Sequence, residues 1–277
     1  MTTFVHIGIG KTGTTSIQGW LHDHRCQLAE HGLHYPQAGL LGAAHHGFFD
    51  LETSEITESS FDSLAAELAV HADRSLILSS ENLAFAPEKV VEQLRATIGS
   101  DSRIIFYVRD QLSLIPSIFL QWVKDGWDYG GSIEEFFARH EDSFDFCKLI
   151  HPWAMRFGDG AIDAHVYSPN VVGANVVQHF LSTIGLQVAT VQDIRLNPSL
   201  LPEFVDVMAE LDAAGTDRHV RQTVVECLVR ASVALAPSST LNLVSDAMRV
   251  RIQSRYAPSN AEFAMRYLSP RERAYLI

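Results

Sequence analysis

Lys11 lies in the run Gly8-Ile9-Gly10-Lys11-Thr12-Gly13-Thr14-Thr15, a combination of residue types suited to holding an anion. The three glycines let the backbone turn tightly and come close to a ligand. The amides of Gly13, Thr14 and Thr15 would point out of a helix N-terminus, where unpaired N–H groups and the helix dipole both favour negative charge. Lys11 adds a mobile full charge, and the hydroxyls of Thr12, Thr14 and Thr15 add donors. The triphosphate-loop pattern G-x-x-x-x-G-K-[ST] is not met, because Val5 stands where its first glycine belongs. Three further spots carry chemistry: Ser79-Ser80-Glu81, Arg109 with Ser117 eight residues on, and His45-His46 in a glycine-rich stretch. Arginine recognises phosphate in a bidentate fashion, and serine is a short neutral donor. Glu81, partly desolvated beside a cleft, or either histidine at its ordinary pKa, can take up a proton.

These residues need a scaffold. Residues 3–8 read as a short buried strand, and Thr14 onward as a helix with Ile17, Trp20, Leu21 and Leu28 on its apolar face, ended by Gly32 and Pro36. The stretch YPQAGLLGAAHHGFFD, 35–50, has little periodicity and reads as a long loop. A helix around 58–72 leads to a strand in RSLILSSENL, and Pro87 to Ile98 is helical. SRIIFYVRD reads as a third strand with Arg109 at its carboxyl end, 112–124 and 133–139 as helices, and 161–168 as a fourth strand. Strands alternating with helices predict an α/β fold, a parallel sheet with helices on both faces, whose ligands sit at the carboxyl ends of the strands. The lysine loop, Ser79–Glu81 and Arg109 fall at those ends. From about 200 the periodicity is helical, over 201–213, 218–235, 240–255 and 258–268. The expectation is a single domain over 1–277: an α/β core in 1–185 and a helical section in 200–277 packed on it.

Composition narrows the partners. The 277 residues include 21 Lys and Arg against 33 Asp and Glu, a formal net charge of -12. Nucleic-acid binding rests on neutralising phosphates with a basic surface, so nucleic acid is not an expected partner. Cys26, Cys147 and Cys227 are odd in number and far apart, which suggests neither disulfides nor a zinc site; they read as reduced, buried thiols. No leader-like segment precedes the first strand, and no apolar stretch reaches the roughly 18 residues of a membrane span, so the expected location is the cytoplasm.

The stretch K-T-G-T-T over 11–15, between a first strand and a first helix, resembles the 5′-phosphosulfate loop of sulfotransferases that use 3′-phosphoadenosine-5′-phosphosulfate (PAPS). The resemblance implies a P-loop-like fold and a binding set of Gly10, Lys11, Thr12, Gly13, Thr14 and Thr15. It also implies a second motif, an arginine ending the third strand and a serine eight residues later, which hold the cofactor's 3′-phosphate; Arg109 and Ser117 match it. Lys11 would stabilise the leaving phosphate during in-line transfer, with PAP as product, and no metal is demanded. The family uses histidine as base in one branch and glutamate in another, so Glu81, His45 and His46 all stand. HGLHYP (31–36), SSENL (79–83), RLNPSLLPEF (195–204) and RYAPSNAEFA (255–264) are similar to stretches of a bacterial branch, so the likeness spans nearly the whole chain. It departs at Gln111, where proline is usual, and in lacking an RKG stretch; Arg249, Arg251 and Arg255 are candidates to close over the cofactor. The implied acceptor is a hydroxyl-bearing saccharide or small metabolite. Two other readings are a P-loop nucleotide kinase or NTPase, and an inactive nucleotide- or glycan-binding module.

Overall fold

The computed structural model describes residues 2–127, 131–188, 191, 200–235 and 243–277. Among them, β1 (Thr3–His6), β2 (Leu33–His34), β3 (Ser75–Ser79), β4 (Ser102–Val108) and β5 (Ile162–Val166) form one parallel sheet in the order β2-β3-β1-β4-β5. The helices are α1 (Thr14–Asp23), α2 (Arg25–Glu30), α3 (Glu58–Val70), α4 (Glu88–Ile98), α5 (Gln111–Asp125), α6 (Ile133–His140) and α7 (Phe146–Phe157). They continue with α8 (Pro169–Val172), α9 (Val176–Thr183), α10 (Val205–Ala213), α11 (Arg218–Ala234), α12 (Asp246–Tyr267) and α13 (Pro270–Arg273). The chain divides into two compact units, one of Met1–Arg109, Asp145–Ile194 and Ser259–Ile277, the other of Asp110–Phe144 and Arg195–Pro258.

The first unit holds the sheet. Central parallel strands are buried on both sides, which is why β1 and β4 read as apolar runs. Alternation sends Phe4, Ile77, Ile105 and Tyr107 to one face, where they pack with Ile17 and Leu21 of α1, Leu28 of α2 and Phe180 of α9. On the other face Phe106 meets Phe146 of α7 and Phe263 of α12, with ring centroids 6.3 and 5.9 Å away. The parallel register sets Val5 between Leu78 and Ile104, so β1 and β3 end together at His6 and Ser79 while β4 runs on from Ile105 to Val108.

The second unit is helical. Trp122 and Phe119 of α5 meet Phe136 of α6 at 5.3 and 5.6 Å between centroids. Arg221 of α11 donates to Val123 O at 2.6 Å and to Lys124 O at 3.1 Å, satisfying carbonyls at the end of α5.

The α/β expectation holds, with differences in detail. The first helix breaks at His24, whose ring stacks on Trp20 at 4.3 Å and bonds the Trp20 carbonyl, so α1 and α2 replace one long helix. β2 is a fifth strand of two residues, too short for a periodic signal. The stretch 35–60 is not irregular throughout. It carries a turn over His46–Phe48 and isolated bridges Leu41↔Ala44 and Phe49↔Ile56, and it buries Tyr35, Phe48 and Phe49. Pro258 lies inside α12, which runs on where two helices were expected; residues 240–242 lie outside the described residues. Residues 110–144 group with 195–258, and the last nineteen residues, Ser259–Ile277, with the sheet. Cys26 and Cys227 are exposed rather than buried, since they stand on the solvent faces of α2 and α11. No described helix is long and apolar enough to cross a membrane.

A half-buried charge cluster ties α13 to the sheet. His165 of β5 lies 3.2 Å from Asp163 and 3.1 Å from Glu272 of α13, and Arg103 bonds Asp163. Burial alone would lower the His165 pKa, but the two carboxylates outweigh it and hold it at about 9. A folded-state pKa above the ordinary 6.5 means that His165 contributes stability fully below pH 6.5 and loses it as pH climbs through about 9. The carboxylates of Asp163 and Glu272 are held below their usual range and lose their contribution on the acid side. The midpoint of thermal unfolding should therefore fall between pH 6.5 and pH 9 in the wild type. His165→Gln should flatten that slope, and equal slopes would show that the cluster is not coupled to folding.

Candidate functional site

The lysine loop joins β1 to α1. Gly13 has φ 82° and precedes the first helical residue, a left-handed position suited to glycine. A side-chain carbon there would also lie 2.6 Å from Val176 Cγ1, so both strain and packing exclude larger residues. Lys11 is left-handed too, at φ 69°, an uncommon conformation for a side-chain-bearing residue that is concentrated at ligand-binding turns. Gly13 O accepts from Ser16 N and Ile17 N, so α1 begins in regular fashion and leaves the Thr14 and Thr15 amides in the turn where helices lack internal partners. Thr15 is exposed, Thr14 is buried, and Gly10, Lys11 and Gly13 are half-buried. Thr12 is fully buried and donates its hydroxyl to Ile9 O at 2.6 Å; its hydrogen is spent inside the loop, shaping it.

Arg109 follows β4 and comes to the loop. Its Nη1 donates to Lys11 O at 3.3 Å, although 98 residues separate the two in the chain. Ser117 stands in the second turn of α5 and is buried. In that same unit the Gln111 amide donates to Phe144 O at 3.1 Å, a tie that the proline usual at this place would not make. Arg251 pairs with Glu141 at 3.6 Å and lies over the Phe137 ring, and Arg255 pairs with Asp142 at 2.8 Å, so these arginines of α12 are engaged with carboxylates; Arg249 is half-buried on the same helix. Residues 195–199 of the late NPSL stretch lie outside the described residues.

A second cluster forms at the carboxyl end of β3. Gln18 of α1 donates to Glu81 Oε2 at 2.6 Å, and His46 Nε2 lies 3.9 Å from that same oxygen. His46 Nδ1 is 2.7 Å from Ser80 Oγ. Both contacts fall on Oε2, so the other carboxylate oxygen is left out of them. Glu81 and His46 each keep about a quarter of their side-chain surface exposed, 28% and 25%, which leaves them reachable. The Glu81 turn is held from below by Trp153, whose indole donates to Leu83 O at 3.2 Å.

His45 behaves differently from its neighbour. It is 1% exposed, its Nδ1 accepts from Ser79 N at 3.1 Å, and its Nε2 donates to Pro36 O at 3.1 Å. Burial pushes its pKa down to about 3. With both nitrogens engaged, His45 pins the 35–50 stretch to β3. Glu67 holds the other end of that stretch, accepting from Ala38 N at 2.7 Å and Gln37 N at 3.0 Å. Of the three candidate bases, the geometry therefore leaves Glu81 and His46 together and gives His45 a structural part.

Two residues outside the sequence motifs belong to this arrangement: Gln18 and His6. Gln18 looks like an ordinary polar neighbour of Ile17, and its partner is 63 residues away. His6 precedes the glycines and is fully buried, with Nδ1 2.8 Å from Ser79 Oγ. A groove of about 550 Å³ lined by Lys148, His151, Asp159, Glu262 and Arg266, on α7, the turn after it and the end of α12, contains none of these residues.

No protein-family model matches the chain, and no curated protein matches it by sequence. Solved structures similar to it include a sulfotransferase from Alicyclobacillus acidocaldarius, at 13% identity and TM-score 0.47, covering 80% of this chain and 99% of that one. Another is the sulfotransferase domain from the curacin biosynthetic pathway, at 14% identity and TM-score 0.43, covering 85% of this chain and 98% of that one.

Proposed function

We propose that this chain is a PAPS-dependent sulfotransferase acting on a hydroxyl of a saccharide or small metabolite. The observation that carries the reading is the contact of Arg109 with the lysine loop. It brings Arg109, at the end of β4, to a loop 98 residues away in the chain, at the end of the sheet where parallel α/β folds bind ligands.

The residues present suit the donor. Lys11 and the first-turn amides of α1 would hold the 5′-phosphosulfate and Arg109 the 3′-phosphate, for which the second motif also names Ser117. Gly13 gives the backbone close approach, and the left-handed Lys11 turns the loop. When bound, PAPS supplies a sulfuryl group whose S–O bond to phosphate breaks as the bond to the acceptor oxygen forms. Lys11 stabilises the charge that gathers on the leaving phosphate. Glu81, oriented by Gln18 through Oε2, takes the acceptor proton on Oε1, and His46 sits beside the carboxylate as a second polar contact. The net charge of -12 supports this acceptor class to the extent that it disfavours a densely anionic substrate.

Arg109 gives the test. A charge-assisted contact to phosphate is worth about 1.5–3 kcal/mol, or roughly tenfold to 150-fold in affinity. In thermal unfolding, 3′,5′-ADP should stabilise the wild type well beyond 5′-AMP at equal concentration, and Arg109→Ala should erase the difference. Equal stabilisation of the wild type by the two nucleotides would remove the 3′-phosphate assignment.

A further inference from the structure

The first strand ends on an unusual residue. His6 is fully buried, and burial lowers its pKa to about 3, so it is neutral. Its ring is wedged between Tyr107 and Phe180, with centroids 5.7 and 5.3 Å away. Nδ1 meets the Ser79 hydroxyl, but Nε2 has no hydrogen-bond partner among the described residues. Buried polar atoms are nearly always paired, because leaving one unpaired forfeits its hydration with nothing in return.

The tautomer follows from counting donors. The Ser79 hydroxyl hydrogen needs an acceptor, and among the described residues His6 Nδ1, at 2.8 Å, is its hydrogen-bond partner. The opposite assignment, Nδ1–H donating to Ser79 Oγ, would leave both the Ser79 hydroxyl hydrogen and Nε2 unmatched. His6 therefore carries its hydrogen on Nε2, and the unmatched group is an N–H donor.

That donor faces the anion loop from beneath. A side-chain carbon at Gly8 would come 2.6 Å from His6 Nε2 and 3.2 Å from Thr14 Cγ2, so Nε2 lies directly under Gly8, beside the first residue of α1. Gly8 is a glycine because the imidazole occupies the space that its side chain would take. We infer that His6 is a positioning residue of the anion loop, a buried Nε2–H donor that gains its hydrogen bond when the loop closes around a phosphate-type anion. The inference rests on the proposed function, and it adds a reason for a histidine where the β1 core would otherwise favour an apolar side chain. Ser79 sets the tautomer, and the backbone of Ser80, which donates to His6 O at 3.0 Å, ties the same strand end to the Glu81 turn.

Two variants and one spectrum test it, with 3′,5′-ADP as probe. Asparagine places its amide where Nδ1 stood and has nothing at Nε2, whereas glutamine can bring an amide nitrogen to the Nε2 position. By calorimetry, His6→Asn should bind at least tenfold more weakly than the wild type, and His6→Gln within about threefold of it. In the wild type, the nitrogen–proton spectrum of the imidazoles should show His6 protonated on Nε2, with that resonance shifting on saturation. A protonated Nδ1, or an Nε2 resonance indifferent to saturation, overturns the inference even if neither variant folds. Wild type and His6→Asn binding equally well would sink it while leaving the proposed function standing. A wild type that does not bind the probe would overturn both.

Discussion

Lys11→Ala should abolish measurable sulfuryl transfer while the chain keeps its fold. Removing one fixed charge-stabilising group from a transfer site costs about 10²–10³ in kcat, or about 2.7–4 kcal/mol. The fold should survive because Lys11 is half-buried in a loop, and alanine brings no strain that lysine does not already carry at φ 69°. Lys11→Gly sharpens the point. Glycine relieves the left-handed strain, so it should unfold no lower than Lys11→Ala and be equally inactive. Turnover of PAPS with a panel of hydroxyl acceptors, measured beside unfolding midpoints, checks this. Activity within tenfold of wild type in Lys11→Ala would remove the lysine from the chemistry.

Glu81→Gln carries the second large effect. A positioned general base contributes about 10²–10⁴ in rate, and glutamine keeps the shape and the contact region of Gln18 while losing the basic oxygen. The variant should therefore bind 3′,5′-ADP as the wild type does and turn over at least a hundredfold more slowly. His46→Ala should fall less, because His46 contacts the Oε2 side of the carboxylate without holding it. His45→Ala should show a different signature. It removes two buried hydrogen bonds and opens a cavity, so the loss should appear as about 2–4 kcal/mol of unfolding free energy in urea. A fully active Glu81→Gln with a dead His46→Ala would exchange the roles assigned to those two residues.

What the sequence reveals of this arrangement depends on how local the physics is. The loop was legible because glycine, lysine and threonine act within eight residues: positive φ at Gly13, charge at Lys11 and helix start at Thr14 all need only neighbours. The sheet was legible because parallel strands buried on both faces must be written as apolar runs. Gln18 and His6 were not legible, because a glutamine beside Ile17 and a histidine in a strand gain their meaning from Glu81 and Ser79, 63 and 73 residues away. His45 and His46 are adjacent and chemically identical on paper; only folding assigns one to the interior and the other to the rim. The two-unit division was hidden for the same reason, since helical periodicity in 112–124 carries no mark of joining 195–258 rather than the sheet.

On the proposed function, the lysine loop holds the phosphosulfate end of PAPS and not a magnesium-bound triphosphate. Titration calorimetry of the wild type with 3′,5′-ADP in the presence of a chelator, set against ATP with magnesium, tests it most directly. The expected result is saturable binding of 3′,5′-ADP without metal, lost in Lys11→Ala, and at least tenfold weaker binding of ATP with magnesium. Binding of ATP that requires magnesium, with none of 3′,5′-ADP, would contradict it.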